Sequence, residues 1–167
     1  MALTAESIVA AAQRLLTEYG LQDVTMRRLA SELAVRPGAL YYHVPSKQEL
    51  LTRVARRILE PLAAHPGPPE VLMSEFREAV LPLHDGGDLM LIAYALDPEI
   101  PPTSALRGAL QREGQSEVSA AELTSVLMRY ALGSIAVEQN VVLLGNGLLG
   151  RDGAEAYQTG LRRLLTH

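Results

Sequence analysis

The chain has 167 residues, 48% hydrophobic and 20% charged, with a net charge of −4 and no cysteine. This composition supports a buried core and excludes a disordered or fibrous chain. The lack of cysteine excludes disulfides, thiolate metal sites and a cysteine nucleophile, and fits a cytoplasmic protein.

The first predicted helix is marked by Ile8, Ala11, Ala12, Leu15, Leu16 and Tyr19, which form one apolar stripe at helical spacing. Thr4 suits its N-cap, Leu3 can staple onto Ile8, and Gly20 ends it. Thr25 caps a short second helix, with Val24 stapling onto Leu29. Met26, Leu29, Ala30 and Leu33 face inward, and Arg27, Arg28, Ser31 and Glu32 face outward. After the turn "AVR", Pro37 opens a third helix of about six residues that must stop before Pro45. Ser46 and Glu49 form an S-x-x-E capping box for a fourth helix, whose inner face is Leu50, Leu51, Val54 and Ile58. Pro61 ends it.

"AHPGPPE", residues 64–70, reads as a linker. Helices are expected over 71–80, 88–95 and 103–112. Ser119 and Glu122 open a long apolar helix running to about Leu144. "GNGLLGRDG" breaks the chain, and a last helix carries Tyr157, Leu161, Leu164 and Leu165. No stretch has strand periodicity, so the fold class is all-α. The expected division is 1–46, 47–63 as a connecting helix, and 64–167. No apolar run reaches membrane-spanning length, because Glu138 and Asn140 interrupt the longest candidate. "MALTAESI" shows no basic region before an apolar core, so no signal peptide is expected.

Charge is distributed unevenly. Residues 25–57 hold seven Lys/Arg against two Asp/Glu, whereas residues 61–167 hold seven against thirteen. A basic segment in an acidic chain points to a local anionic partner. The same segment has the plan of a helix-turn-helix, whose second helix enters the DNA major groove. Pro37, Gly38 and Ala39 are small enough for close approach to base edges, and Ala39 can meet a thymine methyl. Tyr41, Tyr42, His43 and Lys47 can donate to phosphates, and the start of the fourth helix offers further donors. Arg27 and Arg28 complete a basic rim.

Residues 3–51, with Tyr19-Gly20, Thr25 before "MRRLA", and "LYYH" followed by Lys47, resemble the DNA-binding domain of the TetR family of transcriptional regulators. "TMRR" and "LYYHV" are most similar to the tetracycline-repressor-like subgroup. The resemblance implies that Arg27 reads a base, that Arg36, Pro37, Gly38 and Ala39 lie at the groove, and that Thr25, Tyr41, His43 and Lys47 hold the backbone. Arg36 departs from the pattern, because many relatives carry serine there. The resemblance also implies a C-terminal helical domain that binds a small-molecule effector and forms a homodimer. The function expected is that of a repressor on a palindromic double-stranded DNA operator.

In the C-terminal part, "LHDGGD" and "ALGSIAVEQN" carry a fainter likeness to the same subgroup, and the short region between the last two helices makes the domain look trimmed. The long helix is apolar on more than one face and so needs cover on all sides. Leu127, Tyr130, Gly133, Ser134, Val137 and Val141, with Tyr157, Gly160, Leu161 and Leu164 of the last helix, are the expected four-helix interface. His84, Tyr94, Arg129, Glu138, Gln139 and Asn140 are polar candidates for orienting a ligand. His84, Asp85 and Asp88 read as a plain turn and not as a metal site, and no cofactor is expected. The alternative is a small all-helical enzyme or ligand carrier. Against it, the four histidines are scattered and no nucleophile, phosphate-loop or paired metal-ligand motif occurs.

Overall fold

The computed structural model describes residues 3–143 and 153–166, and all regular structure among them is helical. Helix α1 (Ala5–Tyr19) begins in a reciprocal capping box. The Thr4 hydroxyl accepts the Ser7 N–H at 3.1 Å, and the Ser7 hydroxyl accepts the Thr4 N–H at 3.0 Å. Its stripe is buried except for Tyr19, which stays 48% exposed. Helix α2 (Met26–Glu32) is capped by Thr25 and buries Met26, Leu29 and Ala30. The chain turns through Ala34 at φ 53 into α3 (Pro37–His43), and α4 (Lys47–Leu59) follows.

The capping box expected for α4 is only half made. Ser46 accepts the Glu49 N–H, but the Glu49 carboxylate turns to Arg53 at 2.8 Å. The buried face of α4 is Leu50, Leu51, Val54, Ala55 and Leu59, with Ile58 only partly covered. The reason is that α4 packs against α1, α5 and α6, so its apolar surface spreads beyond one stripe.

After a 3-10 turn at Glu60–Leu62, α5 (Pro69–Val80) starts two residues earlier than expected, with Pro69 in its first turn. Helices α6 (Gly86–Leu96), α7 (Thr103–Arg112), α8 (Glu117–Leu143) and α9 (Gly153–Leu165) complete the C-terminal part. Helix α8 also starts before the expected Ser119 box, because the Ser116 hydroxyl takes the Ser119 N–H at 3.1 Å. The glycine-rich break and the expected end at Leu144 lie outside the described residues.

Helix α8 is the centre of this part and packs against α5, α6, α7 and α9. Met73, Phe76, Met90, Leu106, Leu127 and Met128 belong to one continuous buried cluster that also includes Ile8, Leu29 and Leu50. The two halves are tied at both ends of α6. At its start, the Asp85 carboxylate accepts the Leu21 N–H at 2.8 Å. Just past its end, Arg56 Nε donates to Asp97 at 2.8 Å, and Nη2 reaches the Glu99 carbonyl at 3.3 Å.

Helix α9 is locked on by two tyrosines. Tyr130 Oη donates to the Tyr157 carbonyl at 2.9 Å, and the two rings stack 5.5 Å apart. The Tyr157 phenol is buried and donates to the Met73 carbonyl at 2.8 Å. Burial, with Tyr130 adding to it, pushes this phenol well above the ordinary tyrosine range, so it remains a donor at any working pH. Tyr157→Phe removes this bond, while the Met73 carbonyl, inside α5, keeps its helical N–H partner. Calorimetry should show a loss of about 0.5–1.5 kcal/mol and a lower melting point; an unchanged melting point would refute this role for the bond.

Candidate nucleic-acid interface

Helix α3 is held from behind by Leu40 and by Val44 just past its end, both fully buried. Arg36 is its N-cap residue but gives no side-chain cap bond, and Pro37 occupies the first turn. The outward surface is Arg36, Pro37, Gly38, Tyr41 and Tyr42, with Arg27 and Lys47 exposed on either side. Tyr42 is 88% exposed, and the His43 ring meets it edge-on at 5.3 Å. Ala39 and Thr25 are half-buried, and the Thr25 hydroxyl is engaged in capping Arg28 N–H at 3.1 Å.

Two features of this surface point outward. The side chains of Arg27, Arg36 and Lys47 make no hydrogen bond or ion pair among the described residues. A Cβ added to Gly38 would meet nothing within 4 Å. The fold itself therefore sets no steric demand for glycine there, although glycine lowers helix propensity. Its bareness suits a surface that approaches from outside.

Arg28 does not belong to this set. Its guanidinium pairs with Asp23 and lies 4.1 Å over the Tyr19 ring. It braces the start of α2 against the end of α1, which corrects its expected place on the basic rim and also explains why Tyr19 leaves the buried stripe.

The family model for bacterial regulatory proteins of the tetR family matches residues 8–54, from α1 into α4. The crystal structure of Mycobacterium smegmatis BioQ superposes with a TM-score of 0.84 at 33% identity, covering 99% of this chain and 97% of that one. The chain belongs to the TetR family of regulatory proteins. BioQ in a crystal with its natural double-stranded DNA operator superposes at 0.79 and 31% identity, covering 99% and 100%. The Escherichia coli tetracycline repressor class A from transposon 1721 is 27% identical over 172 residues, spanning 98% of this chain and 78% of the repressor. A TetR variant from Acinetobacter baumannii AYE in complex with minocycline superposes at 0.77 and 25% identity, covering 99% and 97%.

In this TetR-family chain the six polar ligand candidates do not converge. His84, Glu138 and Gln139 share a groove of about 290 Å³ with Leu81, Leu83, Asp85, Val142 and Leu143. Among the described residues, His84 is the one of these three whose side chain makes no hydrogen bond or ion pair. Glu138 pairs with Arg77 at 2.6 Å. The Gln139 amide donates to the Leu81 and Leu83 carbonyls and accepts the Gly87 N–H at 2.8 Å, so it staples the turn before α6 onto α8. Arg129 bonds back to Ser125 and Asn140 to Ala136, each on its own helix, and Tyr94 packs on the core away from the groove. The long-range partners of Glu138 and Gln139 could not be read from spacing, which is why these two side chains looked available.

The expected interface residues also divide. Tyr130, Gly133, Ser134, Val137 and Val141 line an open groove of about 500 Å³ between α8 and α9. Leu127 and Leu161 are fully buried and Tyr157 nearly so, which places them inside the chain's own core and corrects their assignment to a partner face. Gly160 accommodates the Tyr130 hydroxyl, and Leu164 packs partly on the core. Gly133, by contrast, is exposed in the middle of α8, and a Cβ there would meet nothing within 4 Å.

Adjacent Arg27 and Arg28 should separate in a melting experiment. Arg28→Ala removes an ion pair and a cation–π contact and should cost about 1 kcal/mol. Arg27→Ala should leave the melting point where it is. Equal effects would show that Arg28 is not a brace.

Proposed function

We propose that the protein is a homodimeric repressor that binds a palindromic DNA operator through α3 and is released by a small-molecule effector. The observation that carries the reading is the bare Gly38 at the start of α3, surrounded by uncommitted Arg27, Arg36 and Lys47. A guanidinium at Arg27 or Arg36 can take both acceptors of a guanine edge, and Lys47 suits a phosphate. Tyr41, Tyr42 and His43 lie along the same helix and suit the sugar-phosphate wall. Two copies would set their recognition helices about 34–36 Å apart, one turn of duplex. The operator complex of BioQ supports this reading.

The partner face is the outer side of α8. Val126, Gly133 and Val137 are exposed there at nearly heptad spacing, beside the α8–α9 groove. A glycine without an internal reason permits two helices to cross closely. On this reading residues 1–46 contact DNA, 47–63 connect, and 64–167 dimerise and respond to ligand. The packing of α4 on both α1 and α6 supports the connecting role. The minocycline complex of the Acinetobacter relative supports a small-molecule partner, and such a regulator works in the cytoplasm, where its operator is.

The effector acts by favouring a state in which α6 sits differently. Because Asp85 and Arg56 tie α6 to the N-terminal helices, such a shift alters the spacing of the two α3 helices. Operator affinity falls only as far as the effector discriminates between the two states.

Fluorescence anisotropy with an operator selected from random duplexes tests the DNA contacts. Lys47→Ala should weaken operator and scrambled duplex alike and reduce the salt slope by about one. Gly38→Val should remove operator binding while the melting point changes little. Unchanged operator binding by both variants would overturn the site. For the dimer, Val137→Glu should give a monomer in sedimentation at micromolar concentration where the wild type is a dimer; a wild-type monomer would refute the interface.

A further inference from the structure

We infer that Arg53 is a positioning residue for the recognition helix, acting as a C-terminal cap supplied by the neighbouring helix. The inference rests on the DNA-binding reading of α3. Arg53 lies on α4, is half-buried, and was not among the residues expected to touch DNA. Its Nη1 donates to the carbonyl of His43, the last residue of α3, at 3.3 Å. Its Nε donates to Glu49 Oε1 at 2.8 Å. Glu49 in turn has its backbone N–H fixed by the Ser46 hydroxyl at 3.1 Å. One line of bonds therefore runs from the N-cap of α4 to the final carbonyl of α3.

The physical need for it is clear from α3 itself. The helix has seven residues, starts with Pro-Gly, and receives no side-chain cap at Arg36. Its last carbonyls are orphans of the helical pattern. Val44 N–H takes the Leu40 carbonyl at 2.8 Å, and Arg53 takes that of His43. A positive charge at a helix C-terminus also opposes the negative end of the dipole. Leu40 and Val44 fix the depth of α3 on the core, but both lie on its inner side. Arg53 adds a contact at the end of the axis, and so resists tilting of α3 about that buried edge. Tilt is what decides whether Arg36 and Gly38 meet the base edges.

Arg53 is cationic and beside the interface, so a direct phosphate contact is the competing role. Glu49 separates the two. If Arg53 touches phosphate, Glu49 competes for it, and Glu49→Gln frees the guanidinium. If Arg53 positions α3, Glu49→Gln loosens the guanidinium and costs discrimination.

The test uses the full-length protein, a selected operator, a scrambled duplex and a salt series, with Arg53→Gln, Arg53→Lys and Glu49→Gln. Arg53→Gln should weaken operator binding about tenfold and leave both scrambled-duplex binding and the salt slope unchanged. Arg53→Lys should restore part of the loss, since an ammonium reaches the carbonyl but cannot also fork to Glu49. Glu49→Gln should lower the ratio of operator to scrambled affinity. Hydrogen exchange without DNA should show faster exchange at the α3 amides of residues 40–44 in Arg53→Gln. A slope reduced by about one, with both duplexes weakened equally, would overturn the inference in favour of a phosphate contact. So would unchanged α3 exchange. If the wild type ignores the duplex, the DNA reading fails, and the capping contact is still judged by the exchange rates.

Discussion

A seven-residue helix cannot hold itself in water. Isolated helices shorter than about 12–15 residues are marginal even with good helix formers, and α3 begins with proline and glycine. Its conformation must come from a socket, and the N-terminal helices are built as one. Leu40 and Val44 fill the interior of that socket. The turn ahead of α3 is fixed by Ala34 in a left-handed conformation and by the Val35 N–H on the Ala30 carbonyl at 2.9 Å. The Arg28 guanidinium, between Asp23 and the Tyr19 ring, stiffens the wall formed by α1 and α2. What α3 lacks in its own stability it receives from neighbours, and this leaves its outer surface bare.

The socket is in turn fastened to the C-terminal part through α6. The helix is short and has side-chain bonds to the N-terminal helices at both ends, Asp85 to Leu21 and Arg56 to Asp97. Asp85 holds a φ of 55, a region most side chains avoid but Asp tolerates. Gly20 lies directly beneath it, so close that a Cβ there would sit 2.6 Å from the Asp85 carboxylate. These contacts leave little slack. A displacement of α6 is passed on to α1 or α4, because neither end can slide without breaking a bond.

The N-terminal half was legible because its signals are local. Caps, prolines and a glycine stop lie within four residues of the feature they set, and Thr4, Thr25, Pro37 and Ser46 all act where spacing put them. The difference between Arg27 and Arg28 was not legible in the same way. Both occupy the outer face, and only the fold brings Tyr19 beneath one of them. In the C-terminal half the helices were placed to within a few residues, but their side-chain roles were not. Gln139 bonds a turn more than fifty residues earlier in the chain, and Tyr157 bonds a carbonyl 84 residues away. An apolar helix such as α8 offers no periodic clue to which face meets its own core, so Leu127 looked as available as Val137.

Helix α8 shows why that division matters. Thr124, Leu127, Met128, Ala131 and Ile135 face the core, while Val126, Gly133 and Val137 face outward. Two residues beyond Val137, Gln139 fixes the turn that starts α6. Gly87 is pressed against Ala136 on the same stretch, so close that a Cβ there would sit 2.9 Å from the Ala136 Cα. A partner seated on the outer face of α8 therefore loads the helix that sets the start of α6. From there the bonded path is short: Gln139 to Gly87, the turn through Asp85, and the Asp85 carboxylate to Leu21 at the end of α1. On the proposed reading, the dimer face and the placing of α3 thus share one rigid element. If two copies present their α3 helices at a fixed separation, that coupling limits how far either can drift.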